Sequence, residues 1–364
     1  MLGSSIVSLL FFVSGFVVYS LLPESAFATV MSPYFWLIVT LLMAGVVVGG
    51  IYNIAMPVLV AYLVPEERRD NANGMYGMVN GLGFGITSVA SGLMLGYLVM
   101  YWVLLTAVVF TILGILALSL VQIREEKTLH AEHAELPKKI DLKGTIRAVN
   151  AVPGLMALII FTTFNNFLGG VFMSLMDAYG LSLVNVQTWG LLWGALSFAF
   201  ILGGILITKW GVGKNPVATM FRINVLLWTI CIFFTIQPWI WLLAVGMVLW
   251  LTFMPFVEAT EQTIFQKVVP KERLGRVFGF AHSVEQAASP ITAFMIGPIA
   301  QFIFIPFMTT GAGVELIGDW FGTGTGRGIA LVFIVAGVVG LMVTLVAMRT
   351  REYRLLGERY LQDL

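Results

Sequence analysis

Not one residue from Asn71 to Ile123 carries a charge. As a single straight helix that stretch reaches about 80 Å at ~1.5 Å per residue. A bilayer's apolar core is only about 30 Å thick, so the chain has to turn back on itself. The turn is expected at Gly96–Trp102, where Tyr97, Tyr101 and Trp102 suit a membrane interface. The same reasoning divides Ile223–Val257 at Gln237-Pro238, flanked by Trp239 and Trp241. Runs this apolar and unbroken call for helices, because the strands of a membrane barrel alternate in polarity over about ten residues. Composition agrees: 59% of the 364 residues are hydrophobic and 11% charged, against about 25% charged in soluble proteins. A soluble domain, a disordered chain and a disulfide scaffold are excluded, the last by a single Cys. A net charge of +1 gives no general attraction to nucleic acid.

The chain therefore reads as an all-α polytopic membrane protein with ten transmembrane helices. They are expected at about 4–22, 34–62, 75–95, 102–122, 154–176, 187–208, 217–236, 239–260, 277–304 and 328–348. With the N-terminus inside, every one of the 20 Lys and Arg residues except Arg327 falls on the cytoplasmic side, in line with the positive-inside rule. Both termini are then cytoplasmic. The first span is expected to stay as a helix rather than leave as a signal peptide. No basic residue precedes it, and Leu21-Leu22-Pro23-Glu24 is a poor cleavage site.

Two cytoplasmic turns read alike, Val64-Pro65-Glu66-Glu67-Arg68 and Val269-Pro270-Lys271-Glu272-Arg273. Each follows one long span and opens another of the same direction. The offset of 205 also carries Gly74 onto Gly279 and Gly92 onto Gly297. Two copies oriented alike imply two parallel halves related by an axis along the membrane normal. The alternative is two independent helix starts, since Pro followed by Glu begins helices well.

On Leu63–Gly74, Gly169–Leu181, Val269–Gly279 and the loop Asp319–Gly324, and over nearly its whole length, the chain resembles the major facilitator superfamily of transporters. Bacterial efflux-type permeases are the nearest in kind. The resemblance implies twelve helices in two pseudo-symmetric six-helix bundles, a substrate held between them near mid-membrane, a long central cytoplasmic loop, and a place in the plasma membrane. Residues 123–153 match that loop: they are charged, with Leu142, Ile146 and Val149 spaced for an amphipathic surface helix. The expected domains are an incomplete four-helix bundle at 1–122, this linker, a six-helix bundle at 154–350 and a cytoplasmic tail at 351–364. Six spans follow the loop and four precede it, so the family's first two helices, about fifty residues, are expected to be lacking. The family's Gly-rich basic loop would go with them; its second-half counterpart is Gly203-Gly204 to Lys214.

Transport needs polar groups inside the bilayer, where they are costly and face a cavity or a partner. On the span beginning near Val277, His282, Glu285, Gln286 and Ser289 recur at i, i+3, i+4 and i+7, on one helical face. Glu285 there is either a proton carrier or a hydrogen-bonded contact between helices. Glu258, Glu261 and Gln262 form a second cluster near the inner end of the preceding span, which either continues the same cavity or reaches cytoplasmic water. The repeat sets Asn53 opposite Glu258 and Asn80 opposite Glu285, confining titrating groups to the second half or to the two helices expected to be lacking. Asn165 and Asn166 lie mid-span, available to a substrate or to a neighbouring helix. Asp177 is an outer gate partner or an exposed loop acid. The resemblance makes Glu67-Arg68 and Glu272-Arg273 a cytoplasmic gate; as bare residues they are helix starts with an acid at the positive dipole end. Gly81-Leu82-Gly83-Phe84-Gly85 is too apolar for a nucleotide loop and suits close helix packing. By position it resembles the family's antiporter motif, without that motif's proline. Pro57, Pro255, Pro290 and Pro298 fall within spans and permit bending.

Nothing points to catalysis. No Gly-x-x-x-x-Gly-Lys-[Ser/Thr] run occurs. Cys231 lies in an apolar span as a packing residue, and His130-Ala131-Glu132-His133 reads as solvated loop rather than a metal site. No enzyme, metal or cofactor is expected. The expectation is a secondary transporter that exports a small amphiphilic molecule by alternating access, coupled to protons through Glu285 with Glu258 or Glu261. Its partners are then that substrate, protons and the lipid bilayer. The alternative is a non-transporting remnant or a membrane-embedded binding protein.

Overall fold

The computed structural model describes residues 2–27, 29, 31–97, 99–120 and 142–361, and these contain helices and no strand. Before the linker come α1 (Leu2–Leu21), α2 (Pro33–Gly49), α3 (Ile51–Leu63), α4 (Arg69–Tyr97) and α5 (Met100–Leu120). After it come α6 (Leu142–Asn150), α7 (Leu155–Leu183), α8 (Val186–Trp210), α9 (Pro216–Phe233) and α10 (Ile240–Val268). The chain continues with α11 (Lys271–Thr309), which contains a π-helical turn at Ala300–Phe304, then α12 (Ala312–Phe321), α13 (Thr325–Ala347) and α14 (Arg351–Leu361). Part of the linker, including His130, Glu132 and His133, lies outside the described residues.

Among the described residues, nine helical runs are long and apolar enough to cross a membrane, with α2 and α3 forming one run. The tenth expected span falls in α4, whose 29 residues reach about 44 Å. Asn71, Asn73, Asn80 and many glycines make α4 less apolar than the rest. The two uncharged stretches turn where expected, between Tyr97 and Met100 and between Phe233 and Ile240. Several helices outrun the expected ends: α7 continues to Leu183, α10 to Val268, and α11 begins at Lys271. Hydropathy marks only the part inside hydrocarbon. A helix entering water keeps its internal hydrogen bonds and can carry Lys267 or Glu272 on its end turns. The loop expected at Asp319–Gly324 is partly helix: α12 runs to Phe321, and Gly322 ends it at φ 89°.

The chain forms two compact units, Met1–Met56 with Val89–Leu142, and Pro57–Ser88 with Lys143–Leu364. In the first, α1 packs on α2 and α5. Ser8 donates to the Gly45 carbonyl at 2.7 Å, and Phe16 meets Tyr101 with ring centres 5.0 Å apart. In the second, α11 lies along α7, α10 packs against α8 and α9, and α13 against α9 and α7. Its core gathers Leu168, Phe172, Tyr179, Trp228, Leu243 and Phe333, with Phe172 and Phe333 stacked at 4.9 Å.

Lipid tails are as apolar as leucine, so membrane helices associate through close packing and hydrogen bonds rather than through the hydrophobic effect. Gly170 of α7 shows this: a Cβ there would sit 2.7 Å from the Ser289 carbonyl of α11. Gly81 and Gly85 of α4 lie one turn apart against Phe200 and Ser197 of α8. The apolar glycine run thus serves close packing.

Candidate functional site

On α11, Leu274, Val277, Phe278, Ala281, Glu285, Ala288, Thr292 and Ile296 recur every three or four residues and form its buried face. One member of that face is a carboxylic acid. Glu285 is 6% exposed, and Thr162 Oγ1 of α7 donates to its Oε1 at 2.7 Å. From α10, Glu261 lies beside Glu285 and Thr162, close enough to interact with both, with Glu258 near enough to act on it electrostatically. Glu261 Oε1 and Gln262 Oε1 are buried there without a hydrogen-bond partner. Glu258, one turn earlier on α10, is exposed. Two carboxylates in contact in a low-dielectric setting repel strongly, and one shared proton relieves that repulsion.

The face expected on α11 is therefore divided. Glu285 turns into the helix interface, His282 and Ser289 are half-buried, and Gln286 is exposed. The two asparagines of α7 are engaged locally: Trp228 Nε1 of α9 donates to Asn165 Oδ1 at 2.9 Å, and Asn165 Nδ2 donates to the Phe161 carbonyl at 3.0 Å. Asn166 Nδ2 donates to the Thr162 carbonyl at 3.1 Å. Asp177 is exposed on α7 rather than in a loop, and accepts from Trp189 Nε1 of α8 at 2.9 Å.

A second polar region lies where the C-terminal ends of α3 and α10 meet the start of α4. Glu67, Arg68, Glu272 and Arg273 are all exposed there. An ion pair beside them joins Lys267 Nζ to Glu66 Oε1 at 3.3 Å. Arg69, 7% exposed, donates to the carbonyls of Ala61 at 3.0 Å, Val64 at 3.4 Å and Gln266 at 3.2 Å. A guanidinium at the ends of α3 and α10 satisfies carbonyls that lack an intrahelical partner and sits at the negative ends of both dipoles. Asn73, one turn on, donates to Thr263 Oγ1 and Gln266 Oε1 at 3.1 and 3.0 Å, and Gln266 Nε2 donates to the Pro57 carbonyl at 2.8 Å. The tail helix α14 reaches the same place, with Tyr360 presenting its ring to Lys267 Nζ at 4.5 Å. Burial, reinforced by Glu66 and Asp70 and opposed by Arg69, pushes the Tyr360 phenol up to about 12.

Residues 2–293 match the Major Facilitator Superfamily. The chain belongs to that superfamily. Among solved structures, the human organic anion transporter MFSD10 (TETRAN) is similar with a TM-score of 0.54 and 16% identity, over 92% of this chain and 77% of that one. A bacterial homologue of the human lysosomal transporter Spinster, inward-facing and unoccupied, aligns with a TM-score of 0.46 and 17% identity, over 99% of this chain and 84% of its own. At such identities the likeness to MFSD10 speaks for the fold. No curated protein matches the chain. This major facilitator protein is thus a multi-pass membrane transporter and not an enzyme.

In this major facilitator chain the polar groups that sequence reasoning passed over are Thr162, Arg69, Asn73, Gln266 and Lys267. A threonine in a helix usually bonds its own backbone, so Thr162 gives no signal alone. Arg69 and Asn73, however, stand four residues apart beside the repeated turn and so share a face, a readable clue. Arg327, the basic residue expected on the outer side, is 4% exposed. It donates to the carbonyls of Thr235 and Ile236 at 3.0 and 2.8 Å and lies 3.7 Å from the Phe321 ring centre. The exception to the charge bias is a helix-end clamp.

Proposed function

We propose that this transporter exports a small amphiphilic molecule by alternating access, with protons as the driving ion. The observation that carries the reading is the meeting of Glu285 and Glu261 beside Thr162. One proton on the pair leaves a single charge held by a hydroxyl; its loss leaves two like charges in contact and favours a change of packing between α7, α10 and α11. Glu258, exposed on the same helix as Glu261, supplies an entry for the proton, and His282, Gln286, Ser289, Asn165 and Asn166 line the surroundings of the path. In this reading 1–122 and 154–350 are the two moving bundles, 123–153 links them, and 351–364 is a cytoplasmic tail. The inner-end residues Glu67, Arg68, Glu272 and Arg273 stand beside the Glu66–Lys267 pair as a cytoplasmic gate. The protein then resides in a plasma membrane with both termini inside.

The test uses everted vesicles carrying the full chain, a panel of fluorescent amphiphiles and an imposed pH gradient. Export that follows the gradient in the parent, and ceases to follow it in Glu285→Gln and Glu261→Gln, is the expected result. Gradient-driven export that survives both substitutions defeats the assignment.

A further inference from the structure

Helix α6 (LKGTIRAVN) contains no acidic residue and two basic ones. Thr145 and Val149 are 4% and 0% exposed, which fixes the roll of the helix and turns Val149 inward from the surface face expected for it. Leu142 and Ile146 are then left outside, 57% and 39% exposed, and Lys143 and Arg147 are exposed beside them. Each pair is four residues apart, so an apolar ridge runs next to a basic one. That combination marks a helix lying in the headgroup layer, apolar side chains dipping toward the acyl boundary and basic ones among the phosphates.

Its place in the chain agrees. α6 ends at Asn150 and α7, a membrane-crossing helix, begins at Leu155, so α6 stands at the membrane boundary. The turn between them is tight: Gly154 has φ 81°, and a Cβ there would lie 2.5 Å from the Glu352 carbonyl of α14. Lys138 and Lys139 precede α6 in the sequence with the same sign of charge.

We propose that α6 is an interfacial strap whose occupant is anionic phospholipid, with Leu142 and Ile146 inserted at the acyl boundary and Lys143 and Arg147 pairing with the headgroups. The assignment is independent of proton coupling. It is tested on the full chain with Cys231→Ser and Ile146→Cys, labelled with bimane, in nanodiscs holding nitroxide-labelled phosphatidylcholine or phosphatidylglycerol at low mole fraction. Both lipids should quench the probe. Phosphatidylglycerol should quench it more, by about fivefold for each basic side chain engaged. Lys143→Gln with Arg147→Gln should bring the two lipids level while quenching by phosphatidylcholine persists. Quenching by aqueous iodide and by neither lipid puts the ridge in water; quenching by none of the three puts it under protein. Either result overturns the proposal, as does a lipid preference that the double substitution leaves unchanged. Leu142→Cys, labelled in the same way, repeats the measurement so that one poorly folded variant does not decide it.

Discussion

A carboxyl enclosed between membrane helices serves either packing or proton traffic, and Glu285 can be assigned by separating stability from transport. Two carboxylates side by side repel in a low-dielectric setting, so an apolar side chain in place of one relieves that repulsion and gives up only the hydrogen bond from Thr162. Glu285→Met is therefore expected to hold or raise the melting temperature in detergent while abolishing gradient-driven export. A fall in melting temperature with export intact would assign Glu285 to structure alone. Thr162→Val removes the hydroxyl that Glu285 accepts from. Because membrane hydrogen bonds average about 0.6 kcal/mol, it should lower stability by about 1 kcal/mol or less and shift the pH profile of export. Tyr360 makes a separate prediction outside the membrane. Its phenol is raised from 10.0 to about 12, so the folded state binds this proton more tightly than the unfolded state does. The stability it lends is present in full below pH 10 and is lost as pH rises through about 12. The gap in melting temperature between the parent and Tyr360→Phe should stay constant from pH 9 to 10 and change only from there to pH 12, with the parent falling.

Among the elements, α4 and α8 are held by backbone approach. Gly81 leaves no room beside Phe200, whereas a Cβ at Gly83 meets nothing within 4 Å. Overpacking typically costs 1–3 kcal/mol, so Gly81→Leu should lower the melting temperature and reduce the folded yield. Gly83→Ala should be neutral, or stabilising by up to about 1 kcal/mol through helix propensity. Fluorescence-detected gel filtration of the two variants distinguishes this packing from a glycine run that merely adds flexibility, in which case Gly83→Ala would do comparable harm. The helices themselves were readable because uncharged length and interfacial aromatics report directly on the bilayer. Other features had no such signal. α12 is too short to register as a span, and its end depends on the positive φ of Gly322. Val149 had the right spacing for a surface ridge, but spacing does not say which side of a helix another element covers. Hydropathy counts Arg69 and Lys267 as water-facing charges; only the fold brings Arg69 to a carbonyl at Gln266.

For the whole molecule, the distribution of charge determines which way the chain is inserted. Every Lys and Arg but one lies on the side assigned to the cytoplasm. The exception, Arg327, is buried against carbonyls at the end of α9, so on this assignment no free basic charge competes from the outside. On the side assigned to the outside, α12 presents Glu315 and Asp319 as exposed acids beside Leu316 and Trp320, while α6, on the side assigned to the cytoplasm, presents exposed Lys143 and Arg147. Acidic loops contribute little to orientation, so the basic residues carry it. Cysteines placed at Glu315 and at Glu352, each in a Cys231→Ser chain, make the orientation measurable. An impermeant maleimide added to intact cells should label position 315, and should reach position 352 only after the membrane is opened. The reverse pattern would invert the topology, and with it the direction of transport and the leaflet assigned to α6. Labelling of both positions in intact cells would mean mixed insertion, which a chain so one-sided in its basic residues should not show.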